Sequence, residues 1–256
     1  MREPPLFFYR MRNIKLILEY EGTRYNGWQR QRNTSDTIQE IAEKALFRVL
    51  QSKISLIACG RTDAGVHALQ QTVNFKTNNP IPLNKLKKAL NALLPEDIKV
   101  SAARLAPADF HSQYSCSSKT YCYTMLNRDH PDVFQRDRVY FYPHRLDFKA
   151  MRKASRFLIG KHDFSSFKRT ESRGPKTHVR DIRSISLKKK NGFIYIEVTA
   201  KGFLYNMVRN IVGTLIEVGR GKMSIDDLPR ILSARNRAVA GPTAPACGLC
   251  LVRVKY

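Results

Sequence analysis

Acidic residues are scarce in this 256-residue chain, with 21 Asp and Glu against 45 Lys and Arg, a formal charge of +24 with the histidines neutral. Cysteine is sparse too: five residues, an odd number, exclude a fully paired disulfide scaffold and suit a reducing compartment. No uninterrupted apolar stretch approaches the ~18 residues of a membrane span, and no N-terminal apolar segment is long enough for a signal peptide. A cytoplasmic protein with no membrane association is expected. Residues 1–10 read as an extension, and Met11 could serve as an alternative start. Apolar residues, at 43%, are plentiful enough to bury a core, which excludes wholesale disorder. At roughly 150 residues per domain, the length suits one large domain or two small ones.

A surplus of positive charge repels itself, and a polyanion is its natural screening partner. The part before Asp109 carries 17 basic and 9 acidic residues, and the remainder 28 and 12; Lys161 to Lys190 alone holds 10 basic against 3 acidic. Nucleic acid is the favoured partner, because a surface of this sign binds phosphates with release of counterions. A solvated basic face and a patch for anionic lipid are the duller readings, and no amphipathic anchor supports the second. Charge does not choose between RNA and DNA.

Period-two alternation predicts a strand over Asn13 to Tyr20. Thr37 and Glu40 form a capping box opening a helix whose Ile38, Ile41, Ala45, Leu46 and Val49 share a face. Short strands are expected at Ile54 to Ala58 and Thr72 to Phe75, then a helix over Asn84 to Leu94 stopped by Pro95, and a strand at Ile98 to Leu105. The second half has a similar rhythm: a strand over Thr120 to Leu126, a helix over Phe148 to Ile159, and a hairpin turning at Asn191-Gly192 between Ile182 to Leu187 and Phe193 to Val198. A long apolar helix, Phe203 to Val218, and a terminal strand, Leu249 to Val254, complete it. The expected class is α+β with two similar halves joined near Ala106 to Phe110.

The stretch Gly60 to His67 (GRTDAGVH) carries the chemistry. It presents one carboxylate, Asp63, in a turn between two glycines, where the backbone can bend freely and a bulky ligand can come close. On spacing alone, an ordinary turn with a solvated Asp is the better fit. The run Cys59 to Ala68, however, resembles the signature loop of the TruA family of tRNA pseudouridine synthases. Further segments match in order: Phe110-His111, Lys119 to Tyr123, Gly160 to Phe164, Thr177 to Arg180, Met207 to Gly213 and Ala240 to Pro245. After Phe110-His111 the family often has Ala-Arg, whereas this chain has Ser112-Gln113, so an arginine contact to RNA is missing there.

The resemblance implies two α+β halves (11–108 and 109–256 after the 1–10 extension). Each is similar to an RNA-recognition or ferredoxin-like sandwich, and the two share a continuous mixed sheet with helices on one face and a cleft between them. It also implies a homodimer acting on tRNA, isomerising uridines on the 3′ side of the anticodon stem-loop (tRNA positions 38, 39 and 40) without a cofactor. Asp63 is then the nucleophile, or a base acting on the ribose. Arg209 is its ionic partner, countering the rise in pKa that burial causes. Tyr121 stacks on the target base, and its hydroxyl can help move the C5 proton. Arg61 would contact the RNA backbone or fill the gap left by an extruded nucleotide, while His67 and His162 are further substrate contacts or structural groups. Tyr123 is expected in the core.

Other signals carry less. Gly22 to Gly27 has the glycine spacing of a phosphate-binding loop, but Trp28 stands where the lysine belongs. Cys247-Gly248-Leu249-Cys250 is a lone C-x-x-C with no second pair at zinc spacing. The rival function is a catalytically silent tRNA-binding protein or chaperone on the same fold. A DNA-binding regulator would want a helix-turn-helix or zinc finger, and neither is visible.

Overall fold

The computed structural model describes residues 11–169 and 177–256; the 1–10 extension and part of the basic Lys161 to Lys190 run lie outside the described residues. Four strands and two helices make up the first part: β1 (Arg12–Tyr20), α1 (Ile38–Leu50), β2 (Ile57–Ala58), β3 (His67–Thr77), α2 (Leu83–Leu93) and then β4 (Ile98–Ala106). The second part runs β5 (Ser118–Leu126), β6 (Tyr140–Phe141), α3 (Phe148–Ser155), β7 (Gly160–Asp163), β8 (Val179–Lys190), β9 (Phe193–Ala200), α4 (Met207–Gly219), α5 (Asp227–Ala234) and β10 (Leu249–Lys255). One mixed sheet orders them β4-β1-β3-β10-β5-β9-β8-β7, with β2 on β3 and β6 on β5. The last strand, β10, closes the sheet by lying parallel to β3 and antiparallel to β5. The connection from β4 to β5 contains the point where the sequence rhythm changes.

Cross-strand pairing puts opposed residues on one face. Tyr20 pairs with Ala68, Ala68 with Leu251, Leu251 with Tyr121, and Tyr121 with Val198. All five are buried, a continuous row across both parts of the sheet. Leu16, Leu18, Val73 and Phe75 extend the same core. The helices supply the facing apolar stripes, Leu46 from α1, Leu90 from α2, Met151 from α3 and Ile211 with Leu215 from α4. The α+β class is the one the pattern predicts, and the large mixed sheet is the one the resemblance implies.

Thr37 caps α1 as expected, its side chain accepting from the Glu40 amide. Asn191 and Gly192 both take left-handed backbone, φ 51° and 78°, the geometry of the tight hairpin turn. The differences have local causes. α4 starts at Met207 rather than Phe203, because Asn206 takes φ 61° and interrupts the helix. The 54–58 strand shrinks to two residues, since the Leu56 amide donates to Glu43 instead of a neighbouring strand. β3 begins five residues earlier than its apolar run, through buried polar His67 and Gln71, whose hydrogen-bond partners substitute for hydrophobic patterning. The helix expected to reach Ile159 gives way to a 3₁₀ turn over Arg156–Leu158. The short β6, β7 and α5 were not anticipated. Among the described residues no helix is long and apolar enough to cross a membrane.

Candidate active site

Asp63 sits in the turn between β2 and β3. Val66 donates its amide to the Asp63 carbonyl at 3.1 Å, and Gly65 takes φ 75°, so the turn needs glycine where the sequence has it. The loop is gripped from the β1–α1 connection. Trp28 donates its amide to the Thr62 carbonyl at 3.0 Å. A Cβ on Gly27 would stand 2.7 Å from that carbonyl, and one on Gly22 would stand 2.1 Å from the Val66 carbonyl. The glycines that mimic a phosphate loop therefore serve close backbone approach to the Asp63 turn.

Arg209 projects from the first turn of α4, and its Nη1 lies 3.7 Å from the Asp63 carboxylate, with the two side chains only 17% and 14% exposed. Arg209 is thus not on the solvent side of its helix. Its Nε donates to the Ala244 carbonyl at 2.7 Å, and Ala244 returns a backbone bond to the Arg209 carbonyl at 3.2 Å. Close packing of the Ala240–Pro245 segment on α4 is possible because a Cβ on Gly241 would come within 2.7 Å of the Thr214 backbone. Burial raises the Asp63 pKa above the ordinary carboxylate value, and the guanidiniums of Arg209 and then Arg169 oppose it without cancelling it. The two opposing causes are those expected from the sequence; the outcome is upward.

Tyr121 is 7% exposed, and its ring meets Phe203 edge-on at 5.2 Å between centroids. Desolvation holds its phenol protonated, and the negative charge of Asp63 pushes in the same direction. Tyr123 is fully buried, donates to the Pro245 carbonyl at 2.9 Å, and packs under Gly248, the core role expected of it. Asp63 and Arg209 are therefore brought together from two elements, and Tyr121 stands on β5 in the cross-strand row that runs through Leu251 and Ala68 to β3, the strand that follows the Asp63 loop.

The remaining predicted residues are spread out. Arg61 is exposed, two residues before Asp63, free to meet a ligand at the loop. His67 is buried, with Nδ1 accepting from the Gly22 amide at 3.0 Å and Nε2 facing the Cys247 carbonyl at 3.0 Å. The carbonyl requires a proton on Nε2, so the imidazole is neutral and ties three segments together rather than reaching outward. His162 lies on the edge strand β7, its Nε2 facing the Ile159 carbonyl, several strands away from β3. Sequence reasoning missed Arg169, whose backbone amide donates to Tyr205 and whose guanidinium lies 5.4 Å from the Tyr205 ring. It also missed Phe203. Both sit in segments next to recognisable motifs, and no periodicity marks them. Among the described residues no three His, Cys, Asp or Glu side chains gather as a metal site.

Comparison with known proteins shows a family. A family model described as tRNA pseudouridine synthase matches residues 16–115 and 154–256. A protein named tRNA pseudouridine synthase A from Acetivibrio thermocellus is 46% identical over 246 residues, covering 96% of this chain and 100% of that one. Another, tRNA pseudouridine synthase A 2 from Clostridium perfringens, is 44% identical with the same coverage. The crystal structure of a Cbf5-Nop10-Gar1 complex overlaps at a TM-score of 0.41 and 13% identity, over 93% of this chain and 48% of that one, too loose a fit to carry weight. With a family match in both parts of the sheet and near-half identity along almost the whole length, this chain belongs to the tRNA pseudouridine synthase family.

Proposed function

We propose that the protein isomerises uridine to pseudouridine on the 3′ side of the tRNA anticodon stem-loop, with Asp63, Tyr121 and Arg209 as its catalytic residues. The reaction breaks the N1–C1′ glycosidic bond and forms a C5–C1′ bond; C5 gives up a proton and N1 gains one. Atoms and electrons balance within the nucleotide, so neither redox equivalents nor an energy source is consumed. Asp63 acts as nucleophile or as a base on the ribose, and Arg209 at 3.7 Å favours its ionised form against burial. Tyr121 offers an aromatic face to a detached base in any orientation. Its protonated phenol is poised to accept or relay the C5 proton only through a concerted transfer, because a free phenolate is disfavoured there. Arg61, beside the loop, would meet the RNA backbone or the gap left by the extruded nucleotide.

The carrying observation is the buried Asp63–Arg209 pair: a protein that only bound RNA would gain nothing from a carboxylate kept in a site that receives a polyanion. A cytoplasmic homodimer, with tRNA spanning both subunits, belongs to the same proposal and is open to light scattering with and without tRNA. The decisive experiment maps pseudouridine in unmodified tRNA after incubation with purified protein and no added cofactor. Modification of the anticodon stem-loop, lost in Asp63→Asn while tRNA binding persists, is expected. A wild-type protein that binds tRNA and makes no pseudouridine would instead be the silent binder.

A further inference from the structure

Beneath the Asp63 loop lies a chain of buried polar side chains that touches no reacting atom. Gln71, on β3, donates from Nε2 to the Gly60 carbonyl at 2.8 Å and to the Tyr20 hydroxyl at 3.3 Å, while its Oε1 accepts from the Cys59 thiol at 3.2 Å. The Tyr20 hydroxyl is 2.8 Å from Thr62 Oγ1. Cys59, Gln71, Tyr20 and Thr62 are all buried, so each contact exists in a low-dielectric interior where a missing partner is costly. The direction of the chain is set by one acceptor. A backbone carbonyl cannot donate, so Gln71 must turn its NH₂ toward Gly60. Tyr20 then accepts from that NH₂, and a second hydrogen bond joins its hydroxyl to Thr62. The network thereby grips the loop at Gly60 and at Thr62, the residue before Asp63.

The sheet makes this grip a ruler. Tyr20 and Tyr121 lie on the same cross-strand row, linked through Ala68 and Leu251. The strand that holds the Asp63 loop is thus in fixed register with the strand that carries the phenol.

We propose that Tyr20 and Gln71 are positioning residues for isomerisation, acting through Thr62 and Gly60 to hold the Asp63 carboxylate at its distance from Arg209 and Tyr121. This rests on Asp63 being the reactive carboxylate. Catalytic geometry is sensitive: a displacement of about 1 Å costs on the order of a hundredfold in rate.

Tyr20→Phe removes one oxygen and keeps the ring stacked on Trp28, 6.3 Å away between centroids. Single-turnover pseudouridine formation at saturating enzyme is expected to slow roughly tenfold to a hundredfold, with tRNA affinity unchanged. Thr62→Val should slow it similarly, and Thr62→Ser, which restores the hydroxyl, should recover most of the rate. The double variant Tyr20→Phe/Thr62→Val should be no slower than the worse single one, because both break one link. Multiplying effects, a loss confined to tRNA affinity, or a folded Tyr20→Phe at full speed would overturn the proposal. If Tyr20→Phe does not fold, the Thr62→Val and Thr62→Ser pair decides: equal rates refute it. A wild-type protein with no activity sinks the functional reading itself; an active wild type with indifferent variants sinks only the positioning role.

Discussion

Removing the guanidinium of Arg209 tests the heart of the site. Arg209→Met keeps the apolar stem and deletes the charge 3.7 Å from the Asp63 carboxylate. At an effective dielectric of about 20, two unit charges at that separation attract by about 4.5 kcal/mol, and breaking a buried pair typically costs about 3–5 kcal/mol. The ionised carboxylate loses that support, while burial, already the dominant influence on Asp63, remains. The acid limb of the single-turnover rate profile should therefore move to higher pH. The rate at neutral pH should fall by up to roughly 10³-fold, since about 1.4 kcal/mol is a factor of ten, and raising the pH should recover part of it. Linkage gives an independent sign. The folded pKa of Asp63 is raised, so its contribution to stability is present below the unfolded value and lost as pH rises through the folded one. An ionised Asp63 is thus kept at a cost to the fold, as functional groups often are. An Arg209→Met variant whose acid limb stays in place, or whose rate loss is the same at every pH, would refute the pairing.

Three further outcomes follow from the same structure. Gly27→Ala forces a Cβ to within 2.7 Å of the Thr62 carbonyl at a residue with φ 84°; thermal melts should show a loss of about 1–3 kcal/mol, and single-turnover assays a slower reaction in the protein that stays folded. His67, its pKa lowered by burial, contributes stability that is present above its unfolded value and lost as pH falls through the folded one. Melting temperature should accordingly drop below about pH 6.5, and a His67→Gln variant should flatten that part of the profile. Finally, a +24 chain binding tRNA through phosphates should lose affinity steeply between low and moderate salt, linearly in the logarithms; filter binding across a salt series checks it, and a flat response removes the electrostatic account.

The capping box at Thr37, the Asn191-Gly192 hairpin and the alternation of β1 and β5 are local devices, and the chain spells them out because their physics spans only a few residues. The Asp63 loop was legible as a motif for the same reason. What the residues could not reveal one by one is contact across long separations. Arg209 stands 146 positions after Asp63 and meets it only because β10 returns to lie between β3 and β5. His67 reads in the sequence as either a substrate contact or a structural group, and tertiary packing gives both its nitrogens to Gly22 and Cys247. Gly22 and Gly27 have glycine spacing without a phosphate loop's lysine, and only the fold gives them a use, against Thr62 and Val66. Gln71, a polar residue in the middle of a strand, breaks the apolar pattern and acquires meaning only when Gly60, Cys59 and Tyr20 close around it. Sequence alone determined the charge, the class and the carboxylate. Tertiary structure decided its partners, because hydrogen bonds and ion pairs act over a few ångströms of space, whatever the distance along the chain.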